Sequence, residues 1–153
     1  MIDPTKKRVL VVDDDRSLTE LLQMVLEDAG YQVTLAENGR EAIVSAAKDP
    51  PDLVVLDVVM PEMDGWATSD HLLSHERTAK IPIIFLSARV QAEDQLRGWY
   101  RGCFDYLTKP FDIQELLEKV SQALAEPSDD VEQLKQDLRQ QRIAALEQIV
   151  EEA

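Results

Sequence analysis

The chain has 153 residues, with 16 Lys and Arg against 30 Asp and Glu, a formal net charge of −14. That length fits one domain of ordinary size with a short appendage. The acid excess argues against nucleic-acid binding, because phosphates are repelled over most of such a surface. A single cysteine, Cys103, excludes a disulfide framework and any multi-cysteine zinc site.

The predicted elements alternate in type along the chain. Arg8 to Val12 is a short apolar run rich in β-branched residues, suited to a strand buried on both faces. Ser17 to Ala29 places Leu18, Leu21, Leu22, Val25 and Leu26 at helical spacing, and Gly30 stands where helices stop. Tyr31 to Leu35 reads as a second strand. Asn38 is suited to cap a helix carrying Ala42, Ile43, Ala46 and Ala47, ended by Pro50 and Pro51. Leu53 to Leu56 is a third strand. Met60 to Gly65 has loop chemistry, and Trp66 to His75 is a helix. Ile81 to Leu86 is a fourth strand, Ala92 to Tyr100 a weakly patterned helix, and Phe104 to Leu107 a fifth strand. Asp112 caps a helix with Ile113, Leu116, Leu117, Val120 and Leu124 on one face.

Strands alternating with helices predict an α/β fold: a five-stranded parallel sheet, doubly wound, with helices on both faces. The expected domain spans residues 1–125. Glu126 to Asp130, with its proline and acids, is a linker signal. Residues 126–153 then hold the linker and a C-terminal amphipathic helix, Val131 to Glu152, about 33 Å long. Val131, Leu134, Leu138, Ala145, Leu146 and Ile149 fall near one face of it, and Arg142 interrupts the stripe. No apolar run approaches a membrane span. Val9 to Val12, after Lys6, Lys7 and Arg8, is too short for a signal-peptide core. No membrane association and a cytoplasmic location are expected.

In a doubly wound sheet, ligands bind beyond the carboxyl ends of the strands. The first strand ends in Asp13, Asp14 and Asp15, and the third in Asp57. The fourth ends in Ser87, and the fifth leads into Thr108, Lys109 and Pro110. Carboxylates, a hydroxyl and an ammonium therefore converge on one sheet edge. Clustered carboxylates repel unless a cation sits among them, and an all-oxygen set suits Mg²⁺ where phosphate is handled. A lysine and a hydroxyl opposite the metal can neutralise a transferring phosphoryl group. A carboxylate can itself be the nucleophile.

Four segments carry a resemblance. Val11-Val12-Asp13-Asp14-Asp15, Leu56-Asp57-Val58-Val59-Met60-Pro61-Glu62-Met63-Asp64-Gly65, Leu86-Ser87-Ala88 and Tyr106-Leu107-Thr108-Lys109-Pro110-Phe111 resemble the receiver domain of two-component response regulators, a CheY-like, flavodoxin-like (βα)5 fold. The resemblance covers residues 6–125. It implies that Asp57 accepts a phosphoryl group from the phosphohistidine of a histidine kinase or phosphotransfer protein. It implies Mg²⁺ bound by Asp14 and Asp57 directly, by Asp13 mainly through water, and by the backbone carbonyl of Val59. Lys109 then contacts the phosphoryl group, and its bond to Pro110 is cis in such domains. Ser87 is the switch hydroxyl and Tyr106 the aromatic that follows it, together remodelling the face made by the fourth helix, fifth strand and fifth helix.

Some positions depart from the family's common pattern. Ser87 often appears there as Thr. Phe104 puts bulk beside the fifth strand. Val59 cannot orient an attacking water, so slow autodephosphorylation is expected; beyond its own phosphorylation and that decay the chain is not expected to be an enzyme. Phosphatases with an aspartyl nucleophile place a second acid where Val59 stands, which speaks against that class. Without the cluster around them, Asp13 to Asp15 and Lys109 are ordinary surface charges, and Asp15 is expected to be a helix cap. His71 and His75 have metal spacing but no third ligand and are expected at the surface. Cys103 is expected to be a small apolar filler, and Trp66 and Trp99 packing residues or part of a partner surface.

The expected output is conformational, from a single-domain regulator without a DNA-binding module. Homodimers are open through the fourth helix, fifth strand and fifth helix, or through the C-terminal helix. The alternative is a phosphorylation-independent receiver-like scaffold used for dimerisation or binding.

Overall fold

The computed structural model describes residues 3, 5–126 and 128–152; Pro127, in the expected linker, lies outside them. Strands β1 (Arg8–Val12), β2 (Gln32–Ala36), β3 (Leu53–Asp57), β4 (Ile83–Ser87) and β5 (Asp105–Thr108) form one parallel sheet in the order β2-β1-β3-β4-β5. Helices α1 (Arg16–Asp28), α2 (Gly39–Lys48), α3 (Gly65–Leu73), α4 (Ala92–Tyr100) and α5 (Ile113–Ala123) connect or follow them, and α6 (Asp129–Glu152) ends the chain. This is the doubly wound fold expected from the alternation of strand and helix signals.

Strand residues point alternately to the two faces, so each strand feeds two cores. Leu10, Val12, Val54, Leu56 and Phe85 pack on one side with Trp66 and Trp99. Val9, Val11, Leu53, Val55, Ile84 and Leu86 pack on the other with Leu22, Leu26, Leu116 and Val120. Burial on both faces explains why these strands read as unbroken apolar runs rather than alternating ones.

Side-chain caps fix where most helices begin. Asp15, Asn38, Asp64 and Asp112 each accept a backbone N–H of the first turn of α1, α2, α3 and α5. Asp15 is the cap expected of it. Gly30, at φ 101°, ends α1 in the left-handed conformation that costs glycine least. Most boundaries shift by one or two residues: β4 begins at Ile83 rather than Ile81, α3 runs from Gly65 to Leu73 rather than from Trp66 to His75, and α6 begins at Asp129, inside the expected linker. The proline at 82 accounts for the start of β4 and the Asp64 cap for the start of α3. Helix α4 has no side-chain cap, in keeping with its weak pattern.

Helix α6 corrects one expectation. Leu146 does not share a face with the rest of the predicted stripe. It is 7% exposed and belongs to the core, with Ile143 and Val150 packed beside it. Val131, Leu134, Leu138 and Ile149 are 40–58% exposed. The docked face sits about 100° around the helix from the stripe, the angle that separates neighbouring residues. Arg142, the interruption, stacks 5.9 Å from the Trp99 ring, and Tyr100 Oη donates to Glu147 at 2.6 Å. Helix α6 therefore covers the outer side of α4.

Candidate functional site

The order of the strands reverses between β1 and β3, and Val12 pairs with Leu56 in register there. The next residue on each strand is an aspartate, so Asp13 and Asp57 emerge side by side at the switch point. Asp57 pairs with Leu86, and Ser87 with Thr108. This register carries Ser87 and Lys109 to the same edge. The Lys109 N–H donates to the Ser87 carbonyl at 2.7 Å, tying the loop after β5 to the end of β4. The Lys109–Pro110 bond is cis.

One carboxylate oxygen from each of Asp13, Asp14 and Asp57 lies within 4.8 Å of the others; Asp13 and Asp57 are buried and Asp14 is exposed. Among the described residues this is the one such cluster of possible metal ligands. Lys109 Nζ donates to Asp13 Oδ2 at 2.8 Å and stands 3.5 Å from Asp57 Oδ2. Asp57 Oδ1 accepts the Val59 N–H at 3.3 Å, and Asp13 Oδ1 accepts the Asp15 N–H at 2.9 Å.

These surroundings act on the acids and the base differently. Burial, reinforced by the Asp13 charge, pushes Asp57 up to about 6 despite the opposing Lys109 ammonium and the Val59 N–H. Burial works against the charge on Lys109, but the Asp13 and Asp57 carboxylates outweigh it and raise its pKa. Lys109 alone does not neutralise three carboxylates. A hard divalent cation among these oxygens would complete the balance, and the all-oxygen donor set fits Mg²⁺.

The loop between Asp57 and α3 is held tightly. Gly65 N–H donates to the Val58 carbonyl at 2.8 Å, and Glu62 sits at φ 67°. A Cβ on Gly65 would overlap the Asp57 carbonyl oxygen and stand 2.7 Å from Val58 Cα. Val59 is half exposed.

Ser87 is fully buried, and its Oγ accepts the Arg89 N–H at 3.1 Å. Tyr106 is not one of the clustered ligands at the carboxylate edge, but its hydroxyl reaches Ser87 and feels the Asp57 charge. Its ring is buried against Phe85 and Trp66, 6.2 and 6.4 Å between centroids, and its hydroxyl donates to the Arg89 carbonyl at 2.8 Å. Arg89 thus joins Ser87 to Tyr106 through its backbone. No side-chain signal could mark such a role in advance. Trp66 is enclosed by Arg97 and Arg101, 5.0 and 5.1 Å from its ring.

The remaining candidates fall outside the site. His71 and His75 are exposed and face one another at 6.4 Å, without a third ligand among the described residues. Cys103 is buried, and burial pushes its thiol well above the ordinary range, as befits an apolar filler rather than a reactive group. Phe104 packs at the edge of the α5-side core, under the Lys135 ammonium at 5.2 Å.

The fold and this edge are those of response regulator receivers, and residues 9–121 match the family described as the response regulator receiver domain. The chain belongs to that family. It is 37% identical over 118 residues to Protein PilH of Pseudomonas aeruginosa, covering 77% of this chain and 98% of PilH. It is 40% identical over 126 residues to the DNA-binding dual master transcriptional regulator RpaA of Synechocystis sp., covering 82% of this chain and 52% of RpaA. The chain thus spans about half the length of that relative. Among solved structures, a putative response regulator from Chloroflexus aurantiacus superposes with a TM-score of 0.75 at 37% identity, over 80% of this chain and all of the other. The chemotaxis protein CheY4 of Vibrio cholerae gives 0.74 at 32% identity, over 78% of this chain and 100% of CheY4. Among the described residues no helix is long and apolar enough to cross a membrane.

Proposed function

We propose that this receiver takes a phosphoryl group onto Asp57 from a phosphohistidine on a histidine kinase or phosphotransfer protein, with Mg²⁺ required. The observation that carries the reading is the placement of Asp57 beside Asp13, with Lys109 Nζ bridging both. An Asp57 oxygen attacks phosphorus, the new P–O bond replaces the P–N bond, and the imidazole leaves as neutral histidine once it holds one proton. Lys109 offers its ammonium to the peripheral oxygens, and its release from Asp13 frees it to do so. Ser87 turns its hydroxyl from the Arg89 N–H toward the phosphoryl group. Asp14, Asp57 and the Val59 carbonyl would hold Mg²⁺ directly and Asp13 mainly through water, and the ion would supply charge neutralisation. Output follows as a change of conformation reaching Tyr106 and the α4 surface.

The test is incubation with a small-molecule phosphoryl donor and Mg²⁺, followed by intact-mass measurement. One phosphoryl mass, absent without Mg²⁺ and absent from Asp57→Asn, is expected. An unlabelled protein that binds Mg²⁺ normally would instead support the phosphorylation-independent scaffold.

A further inference from the structure

Helix α6 has two apolar faces, and the receiver uses only one. The free stripe follows a seven-residue repeat, with Val131, Leu138 and Ala145 at the first core position (a) and Leu134, Gln141 and Gln148 at the second (d). Three of these carry large or branched apolar side chains that are 40–58% exposed. Valine at the first position with leucine at the second favours pairs over larger bundles.

The flanks of the stripe decide what can lie on it. In a parallel pair of helices, the residue preceding each first core position (g) meets the partner residue five further on (e). Here Asp130 would meet Lys135 and Asp137 would meet Arg142. Every charged pairing in this register joins opposite signs, and by symmetry each occurs twice. The next pairing, Ala144 with Ile149, is apolar.

The packing agrees with that arrangement. Lys135 and Arg142 lie on the side of the stripe nearer the receiver, leaning over Phe104 and Trp99. A groove of about 630 Å³ runs along this side, between Leu134 and Leu138 of α6 and Phe104 and Gln122 of the receiver. A partner helix on the stripe would set its Asp130 and Asp137 over that groove. A stripe with so few apolar layers would not hold two free chains well, because each helix would first have to form. Docking of Leu146 onto the receiver has already ordered α6, which removes most of that cost.

We propose that a second copy of this chain docks on α6, forming a parallel, in-register homodimer through the Val131–Leu134–Leu138 stripe with Asp130–Lys135 and Asp137–Arg142 pairs across it. The stripe is formed by α6 in the unphosphorylated protein and needs no phosphoryl group on Asp57, so without any phosphoryl donor Asp57→Asn is expected to dimerise as wild type does.

Sedimentation equilibrium of the full chain tests it. The mass is expected to rise with concentration to that of a dimer. Asp130→Lys with Asp137→Lys, both at exposed positions, weakens the dimer at least tenfold. Lys135→Glu with Arg142→Glu does the same, and mixing the two double variants restores a dimer. Gln148→Cys crosslinks to itself under mild oxidation, since a parallel register brings the two copies of 148 together and an antiparallel one separates them. Circular dichroism confirms that each variant keeps its helix. A monomer at every concentration overturns the proposal, as does a dimer indifferent to charge reversal or a Gln148→Cys protein that does not crosslink.

Discussion

Asp57 is held where ionisation is disfavoured, and the consequence is measurable. Its pKa in the fold is about 6, above the ordinary 3.8, because burial and the Asp13 charge outweigh Lys109. The folded state therefore binds the proton more tightly than the unfolded chain. The stabilising contribution is complete below about pH 4 and is lost as pH rises through 6. In metal-free buffer, Asp57→Asn is expected to exceed wild type in stability by about 2 kcal/mol at pH 7.5, with the gap closing towards pH 4. Urea unfolding of both proteins in chelator at several pH values measures this. Parallel pH profiles would show that Asp57 is not strained in this way. Val59 sets a second expectation at this scale. Its half-exposed, apolar side chain offers an attacking water no hydrogen bond. Replacing it by asparagine should speed loss of the phosphoryl group several-fold, read by intact mass against time. An unchanged or slower decay would remove Val59 from the account.

At the scale of elements, the sequence disclosed most of what the backbone alone determines. Apolar runs such as Leu53 to Leu56 marked strands because both faces of the sheet are covered. Asp15, Asn38 and Asp112 marked helix starts because a capping carboxylate or amide is a local, chemical signal. The acids at 13, 14 and 57 were legible because strand ends in a parallel sheet share one edge. What escaped was tertiary. The side of α6 that Leu146 occupies depends on a surface presented by α4, residues away in sequence. The bridge through Arg89 is made by backbone atoms that any residue has. Gly65 is a further case, visible only when the third strand and third helix are placed together. Alanine there would improve helix propensity by roughly 1 kcal/mol, but its Cβ would overlap the Asp57 carbonyl oxygen. Backbone cannot yield as a flexible side chain does, so the clash wins. Gly65→Ala is expected to destabilise the protein by about 1–3 kcal/mol and to slow phosphorylation, since the backbone of Asp57 at the end of β3 must shift. A variant as stable and as reactive as wild type would show that the loop has room to move.

Across the whole molecule, one connected set of contacts runs from the acidic edge to the C-terminal helix. Ser87 Oγ holds the Arg89 N–H, and Tyr106 Oη holds the Arg89 carbonyl. The Tyr106 and Phe85 rings close over Gly98, where an added Cβ would come within 3.0 and 3.1 Å of them. The next residue, Trp99, lies under Arg142, and Tyr100 reaches Glu147. Helix α4 thus stands between Ser87 and Tyr106 on one side and α6 on the other, and its first turn has no side-chain cap, only the Arg89–Asp94 ion pair. If Ser87 turns to a phosphoryl group as proposed, Arg89 loses that hydrogen bond and keeps the one from Tyr106 and the ion pair with Asp94 at 3.8 Å. The segment leading into α4 then loosens, and α6 is docked on that helix. A phosphoryl mimic, beryllofluoride with Mg²⁺, is therefore expected to speed amide exchange several-fold in α4 and in α6 from Ile143 to Val150, and to change tryptophan fluorescence. Asp57→Ala should show neither effect, and Ser87→Ala should bind the mimic with a smaller response. Faster exchange confined to the acidic edge would mean that α6 rides on the receiver as a passive attachment and that the state of Asp57 is read elsewhere on the surface.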